Sequence, residues 1–197
     1  METQFTQELD HQAWESDWWG KCLITFGEEA KQLTYAHVMG LVNMPRDGHW
    51  PVYDLAGRSV LDLGGGPVSM LLKTVNGATR TVVDPCSYPD WVGARYEAAG
   101  IDYVVQEAET FAGERHDEVW IYNVLQHVID PKAVIRTAQK HGALLRIFEW
   151  LETPAMPGHP HTLHADKLNK WIEATGTVNQ IDENGAVGLA YYGAFEL

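Results

Sequence analysis

The sequence predicts a single α/β domain built on a doubly wound, mostly parallel seven-stranded sheet, with a helical cap in front of it. From residue 59 onward, apolar runs of strand length alternate with helical patterns, which indicates parallel strands joined by crossover helices. The last two runs are joined through Asn184-Gly185, the strongest short signal for an antiparallel hairpin. We therefore expect a main domain over 59–197 that ends in this hairpin, and an N-terminal helical cap or lid over 1–58.

The expected elements can be placed in chain order. Runs of apolar residues predict five parallel strands and then the two hairpin strands, at 59–63, 79–84, 101–106, 118–124, 143–150, 178–182 and 189–195. Helical patterns predict helices at 69–75, 87–99, 130–142 and 165–174. Ser87 with Asp90 is a predicted capping pair, and Asp130-Pro131 is a favoured helix start.

The first 58 residues differ in composition from the rest. They hold four of the eight tryptophans, at Trp14, Trp18, Trp19 and Trp50. Thr25 and Glu28 predict a capping box at the start of one helix that runs to about residue 41. A segment this rich in aromatic residues must pack against the main domain, because its aromatic side chains have to be buried. Ligands bind beyond the carboxyl ends of parallel strands, so a cap over that edge of the sheet would close a binding site.

Composition and charge limit the classes of partner. The chain has 197 residues, 45% of them hydrophobic, and a formal net charge of −13, which argues against nucleic acid and against anionic membranes. Cys22 and Cys86 are too few for a disulfide framework, so a reducing compartment is expected. The polar, acidic start lacks the features of a signal peptide, and no stretch is long enough to span a bilayer, so we expect a cytoplasmic protein.

The most informative segment is Val60-Leu-Asp-Leu-Gly-Gly-Gly-Pro67, an apolar strand that runs into three glycines. Glycine permits positive φ and a close approach of ligand to backbone, so the segment predicts a binding loop for a nucleotide-like cofactor. The alternative is a tight turn that binds nothing. The dinucleotide fingerprint GxGxxG fails because Ser69 stands at its third glycine, which argues against a nicotinamide cofactor.

VLDLGGGP resembles the first motif of the class I S-adenosylmethionine-dependent methyltransferases, and the resemblance continues in register to residue 197. The matching later segments are TVVDP with Asp84, the run Gln106-Glu-Ala-Glu109, and Tyr122-Asn-Val-Leu-Gln-His-Val-Ile-Asp-Pro131. This resemblance implies the Rossmann-like fold of that family and S-adenosylmethionine as the cofactor. The head of the chain is similar to that of short bacteriophage and bacterial methyltransferases.

The resemblance also implies which residues bind the cofactor. The glycine loop with Pro67 would lie against the methionine part, with Asp62 holding its ammonium group. Asp84, followed by Pro85, would accept hydrogen bonds from the ribose hydroxyls. Glu107 or Ala108 would adjoin the adenine, and Asn123 and Val124 at the end of the fourth strand would face the methyl-bearing sulfur. In full, the predicted cofactor residues are Asp62, Gly64, Gly65, Gly66, Pro67, Asp84, Pro85, Glu107, Ala108, Asn123 and Val124.

Histidines after the fifth strand are the candidate catalytic residues. The segment 158–168 resembles the HxHxFTxxxL stretch of many small-molecule methyltransferases, with His159 and His161 at the two family histidines. His161 is the predicted general base, because a neutral imidazole suits proton transfer near neutral pH. Tyr35 is a second candidate. The alternatives for this histidine cluster are a metal site formed by His159, His161 and His164, perhaps with Glu149, and a hydrogen-bonded loop without chemistry.

No metal is expected from the family pattern itself. Some relatives bind a divalent metal through two glutamates and the histidine that corresponds to His127, but Asn123 and Gln126 replace those acids here. In the family stretch that 122–131 resembles, this histidine usually packs under the glycine loop, so the resemblance implies the same place for His127.

The predicted function is methyl transfer from S-adenosylmethionine to an oxygen, nitrogen or carbon atom of a small molecule. Candidate substrate contacts are Trp18, Trp19, Gln32 and His159. The Asp/Asn-Pro-Pro-Tyr/Phe motif of base amino methyltransferases is absent from the sequence, which argues against a nucleic-acid substrate. The alternatives are a non-catalytic cofactor-binding regulator or assembly protein, and a nucleic-acid base methyltransferase. The apolar antiparallel end of the sheet could pair with a second copy.

Overall fold

The computed structural model describes residues 11–41, 43–44 and 51–197. The helices are α1 (His11–Trp19), α2 (Phe26–Val38), α3 (Asp90–Ala98), α4 (Pro131–His141) and α5 (Ala165–Ile172). The strands are β1 (Asn43–Met44), β2 (Val52–Asp54), β3 (Val60–Leu63), β4 (Thr74–Val75), β5 (Arg80–Val83), β6 (Asp102–Val104), β7 (His116–Tyr122), β8 (Gly142–Trp150), β9 (Thr177–Glu183) and β10 (Ala186–Glu196). Trp50, which the sequence analysis grouped with the cap, lies outside the described residues. None of the helices in the described part is long and apolar enough to cross a membrane.

The main sheet has seven strands in the order β6-β5-β3-β7-β8-β10-β9. The pairings from β6 to β8 are parallel, and β10 pairs antiparallel with both β8 and β9. After β3, the chain adds β5 and β6 on one side of this strand and then β7 and β8 on its other side. This reversal creates a topological switch point at the carboxyl ends of β3 and β7. In sheets of this type, ligands bind in the crevice outside that point.

Both faces of the main sheet are buried. Side chains alternate between the faces along each strand. In β7, Trp120 and Tyr122 face a core shared with α2 and α3, whereas Val119 and Ile121 face a core shared with α4 and α5. The predicted doubly wound architecture is thus confirmed, and the apolar runs predicted its strands because they are buried on both faces.

Most predicted elements are present with shifted ends. Asp130 caps α4, because its side chain accepts hydrogen bonds from the backbone N–H groups of Lys132 and Ala133. The hairpin turn has positive φ at both Asn184 and Gly185, as a two-residue turn between twisted strands requires. The parallel strands and the C-terminal hairpin are confirmed.

The helix predicted at 69–75 is wrong. The chain forms two short 3₁₀ turns, Gly66–Val68 and Met70–Lys73, and then enters β4. Ser69 interrupts the turns with an extended ψ of 145°, and its hydroxyl accepts a hydrogen bond from the Leu71 N–H. Serine side chains compete with helix formation through such local bonds.

Two predicted caps are also wrong. Thr25 precedes α2 without a capping hydrogen bond, and its hydroxyl instead donates to Glu29 at 2.7 Å. Pro89, rather than Ser87, is the residue before α3.

The N-terminal segment is more closely joined to the main domain than a separate cap would be. The small sheet β1-β2-β4, which the sequence analysis did not predict, pairs β2 with β4 of the main domain. Helix α2 contributes Tyr35, Ala36 and Met39 to the core on one face of the main sheet. The division into a cap over 1–58 and a main domain over 59–197 therefore stays a prediction from the sequence.

Candidate cofactor and substrate site

The glycine loop after β3 is packed so closely that Gly64 and Gly65 have no room for a side chain. Gly64 and Gly66 have φ of +79° and +62°, which favour glycine. A Cβ on Gly64 would lie 2.5 Å from Val124, and one on Gly65 would lie 2.7 Å from Oδ2 of Asp62. Bare backbone from all three glycines lines a cavity at the switch point. Pro67 does not line this cavity, and its carbonyl accepts a hydrogen bond from Arg95.

Asp62 lies beneath the loop and does not line the cavity. Its Oδ2 accepts hydrogen bonds of 2.5 Å from the Ser69 hydroxyl and from the Tyr122 phenol. Oδ1 is buried and has no partner among the described residues. Burial raises the pKa of Asp62 to about 7, although the two hydrogen bonds act in the opposite direction. As placed, Asp62 anchors the glycine loop from below.

Asp84 lies at the end of β5 and lines the cavity together with Pro85. Its Oδ2 accepts a hydrogen bond from the Gly66 N–H at 2.9 Å, and its Oδ1 accepts one from the Cys86 N–H at 3.0 Å. Burial raises the pKa of Asp84. The side chains of Tyr88 and Cys86 also donate to this carboxylate. Because a carboxylate has about four acceptor positions, a ligand hydroxyl at Asp84 would take the place of one of these donors.

The ends of β6 and β7 complete this side of the cavity with Glu107, Ala108, Asn123 and Val124. Asn123 adopts a left-handed φ of +58° where the strand turns. Oε1 of Glu149 accepts hydrogen bonds from the N–H groups of Val124 and Leu125 at 3.1 and 3.0 Å. Burial raises the pKa of Glu149 to about 7, while those two bonds lower it. The sequence suggested Glu149 only as a metal ligand, and this capping contact has no signal in it.

The cavity has a volume of about 940 Å³, which is at the upper end for a small-molecule site. Three regions form its walls: the strand ends described above, helices α1 and α2, and the region of β8, β10 and the loop between β8 and α5. Acidic residues dominate over basic ones in this lining, which includes Glu15, Glu28, Asp84, Glu107 and Glu109 but only one lysine, Lys31. Such a cavity favours cations and neutral molecules over anions.

Helix α2 joins the cavity wall to the glycine loop through Gln32. The Gln32 amide donates to the carbonyl of Val68 at 2.7 Å and accepts from Nζ of Lys73 at 2.9 Å. Gln32 lines the cavity, as expected for a ligand contact. Tyr35 does not line it: this residue is fully buried and stacks on Phe148 at a centroid distance of 4.1 Å.

Helix α1 brings an aromatic wall to the cavity. Trp14 and Trp18 stack with centroids 5.6 Å apart and planes 9° apart, and Trp18 stays 71% exposed. The backbone of Gly158 packs so closely on Trp14 that a Cβ there would lie 2.3 Å from its indole ring. Trp18 and Trp19 both line the cavity, where the sequence analysis expected substrate contacts.

The histidines of the loop between β8 and α5 are separated by the fold. His161 does not line the cavity, and its Nε2 donates to the carbonyls of Val128 and Ile129 at 2.8 and 3.1 Å. His164 is exposed. His159 lines the cavity, and its ring meets that of His127 edge to face with a centroid distance of 4.4 Å. Burial and the nearby His127 lower the pKa of His159.

His127, which the resemblance places under the glycine loop, also lines the cavity. Its Nδ1 donates to the carbonyl of Gly158 at 2.9 Å, and Oε1 of Glu15 lies 2.8 Å from the same nitrogen. Burial disfavours the charged ring, but the Glu15 carboxylate outweighs this and raises the pKa of His127. This contact joins α1 to the turn after β7, and no signal in the sequence predicts it.

Comparisons with known proteins give matches to solved structures alone, since no protein-family model and no curated protein matches this chain. The N-methyltransferase NodS of Bradyrhizobium japonicum, solved with S-adenosylhomocysteine, has a TM-score of 0.59 and 15% identity, over 96% of each chain. Magnesium protoporphyrin IX methyltransferase ChlM of Synechocystis, solved with bound S-adenosylmethionine, has a TM-score of 0.59 and 16% identity, over 93% of this chain and 96% of its own.

A third match is the 1,6-didemethyltoxoflavin-N1-methyltransferase of Burkholderia thailandensis, solved with that substrate and S-adenosylhomocysteine. Its TM-score is 0.58 at 15% identity, over 93% of this chain and 82% of its own. Identities this low establish shared architecture, and the strand order with its C-terminal antiparallel pair agrees with it. The chain has the Rossmann-like fold of the class I S-adenosylmethionine-dependent methyltransferases.

Proposed function

We propose that this protein transfers a methyl group from S-adenosylmethionine to a small molecule. One observation carries the proposal: bare backbone at Gly64–Gly66 and the carboxylate of Asp84 meet at the switch point and line the same cavity. The three similar structures were solved with S-adenosylmethionine or S-adenosylhomocysteine, which supports the same cofactor here.

The residues of the cavity fit this cofactor. Side-chain-free backbone at Gly64–Gly66 would accommodate its amino-acid part, and Asp84 would accept hydrogen bonds from the ribose hydroxyls. Ala108 is small enough to leave space for a flat adenine ring, and Glu107 lies beside it. The acidic lining suits a positively charged sulfonium compound.

The cofactor supplies an activated methyl group when bound, so the chain's own contribution is alignment of the acceptor and exclusion of water. Helix α1 and the loop between β8 and α5 cover the cavity beside Asn123 and Val124, where the acceptor would lie. Trp18 and Trp19 offer apolar surface to it. Neither His161 nor Tyr35, the two bases predicted from the sequence, lines the cavity, and each would have to move to act there.

The net charge of the chain and the lining and volume of the cavity support a small molecule as the substrate. The net charge of −13 and the acidic cavity disfavour a polyanion such as DNA or RNA. Two of the similar structures are named for small substrates, magnesium protoporphyrin IX and 1,6-didemethyltoxoflavin. A cavity of about 940 Å³ has room for a second ligand beside the cofactor.

Calorimetric titration with S-adenosylmethionine and S-adenosylhomocysteine tests the cofactor. We expect saturable binding, weakened at least tenfold by Asp84→Asn, because an amide presents one acceptor oxygen instead of two. Asp166→Asn, at an exposed position on α5, is the matched control and should bind normally. Absence of binding to the unaltered chain would reject the proposal.

Transfer itself needs a second experiment. A cell extract incubated with the protein and deuteromethyl-labelled cofactor should yield a labelled small molecule, detected by mass spectrometry. Labelled nucleic acid or protein would overturn the substrate class. Cofactor binding without any labelled product would favour the alternative of a non-catalytic binding protein.

A further inference from the structure

Three potential metal ligands from distant parts of the chain converge at the cavity. Glu15 comes from α1, His127 from the turn after β7, and His159 from the loop between β8 and α5. One donor atom from each lies within 4.8 Å of the other two. All three residues line the cavity.

One of these residues has an unmet hydrogen bond. Nδ1 of His159 is buried and has no hydrogen-bond partner in the described part of the chain. Oε1 of Glu15 is also buried, and it lies at ion-pair distance, 2.8 Å, from Nδ1 of His127. A buried polar atom without a partner calls for an explanation, and an ion bound beside the carboxylate and the second imidazole would provide one.

We propose that Glu15, His127 and His159 form a binding site for a divalent metal ion of the zinc type. Two imidazoles and one carboxylate are a donor set that Zn²⁺ prefers, whereas Mg²⁺ requires mainly oxygen ligands. Donors that bind one zinc ion tetrahedrally at about 2.0–2.2 Å stand about 3.4 Å apart from one another. The Glu15 and His127 atoms are 2.8 Å apart, and all three donors lie within 4.8 Å of one another, so small movements of the three side chains would reach that spacing.

The site differs from the one that the sequence suggested. His161 is bonded to backbone carbonyls, His164 is exposed, and Glu149 caps the turn at Val124, so the structure separates these three from His159. The carboxylate comes instead from the N-terminal helix. Three protein ligands leave a further coordination position that faces the cavity, where a substrate oxygen or nitrogen could bind.

Binding has a distinctive proton balance. Nδ1 of His127 carries a proton that it donates to the Gly158 carbonyl at 2.9 Å, and a metal ion at this nitrogen must displace that proton. The displaced proton can move to Nε2 of the same ring, so zinc binding at Nδ1 requires the other neutral tautomer of His127. Because Glu15 is the ligand from α1, the bound ion should also hold that helix against the loop and reduce its hydrogen exchange.

Titration of the metal-free full-length chain with Zn²⁺, without any cofactor, tests the proposal independently of methyl transfer. We expect one ion per chain and no comparable binding of Mg²⁺. Glu15→Gln and His159→Asn should each weaken zinc binding at least tenfold, since even the loss of groups that only support a metal ligand costs about 10–100-fold. Glu28→Gln and His164→Asn are the matched controls, because they change a second cavity carboxylate and an exposed histidine of the same loop.

Binding that is lost in Glu15→Gln and His159→Asn but kept in both controls supports the site, provided that circular dichroism shows all four variants folded. If either ligand variant is unfolded, protection of α1 from hydrogen exchange on adding zinc to the unaltered chain is the deciding measurement. Zinc binding that survives either ligand substitution, or no stoichiometric binding at all, overturns the proposal.

Discussion

The phenol of Tyr122 donates a 2.5 Å hydrogen bond to Oδ2 of Asp62, and this bond joins the carboxyl ends of β7 and β3 directly beneath the glycine loop. The same phenol oxygen accepts a hydrogen bond from the Met70 N–H at 3.0 Å. Both side chains are almost fully buried. The position of the glycine loop therefore depends on a polar contact that lies within the core.

Tyr122→Phe should destabilise the protein by about 1–3 kcal/mol, because it leaves Asp62 and the Met70 N–H with unmet bonding capacity in a buried place. Urea denaturation of both proteins measures the difference. Tyr192→Phe removes a phenol that bonds only the exposed Asn179 among the described residues and should cost less than about 0.5 kcal/mol. Equal losses in the two variants would contradict the role of the buried contact.

Gly65→Ala should weaken S-adenosylmethionine binding at least tenfold. The new Cβ would lie 2.7 Å from Oδ2 of Asp62, so the loop must move outward into the cavity. Gly65 has an ordinary φ of −66°, and the effect is therefore one of space rather than of backbone strain. Gly27→Ala, at a helical glycine with open space around it, is the control and should leave the affinity unchanged. Isothermal calorimetry on both variants checks this.

Glu149→Gln should remove part of the pH dependence of stability. The pKa of Glu149 is raised from 4.5 to about 7 in the folded state, so the folded chain binds more protons than the unfolded chain between these values. Its contribution to stability is complete below about pH 4.5 and is lost as the pH rises through 7. One pKa unit corresponds to about 1.4 kcal/mol, so the loss over this interval is on the order of 3–4 kcal/mol.

The glutamine variant keeps an oxygen that can accept hydrogen bonds from the N–H groups of Val124 and Leu125, and it carries no charge at any pH. We therefore expect its free energy of unfolding to exceed that of the unaltered chain at pH 8. At pH 5 the difference between the two proteins should be smaller. Urea denaturation at both pH values gives the comparison. Glu97→Gln, at an exposed site on α3, should show no such difference. An unchanged pH profile in Glu149→Gln would show that Glu149 does not titrate in this range.

His161→Gln separates a structural role from a catalytic one. A glutamine amide can donate to the carbonyls of Val128 and Ile129 but cannot accept a proton near neutral pH. Because His161 does not line the cavity, we expect this variant to retain stability and transfer, whereas His161→Ala should lose about 1 kcal/mol of stability. Stability that is kept while labelled-methyl transfer falls at least a hundredfold would establish His161 as the base.

The sequence by itself determined the order of strands and helices along the main domain. Buried parallel strands need continuous apolar runs, the turn at Asn184-Gly185 needs two residues with positive φ, and the start of α4 needs the cap that Asp130 provides. These requirements are local, so they are visible in short stretches of sequence. The glycine loop and Asp84 could be identified for the same reason, because they directly follow their strands.

Only the tertiary structure decided which polar groups meet. Asp62 and Tyr122 are 60 residues apart, and Glu149 caps a turn 25 residues before it. Glu15 of α1 contacts His127 in the turn after β7, although the two are far apart in sequence. His159, rather than His161, lines the cavity. Such contacts depend on distances between elements that are far apart in sequence, and side-chain spacing along one strand or loop carries no information about them.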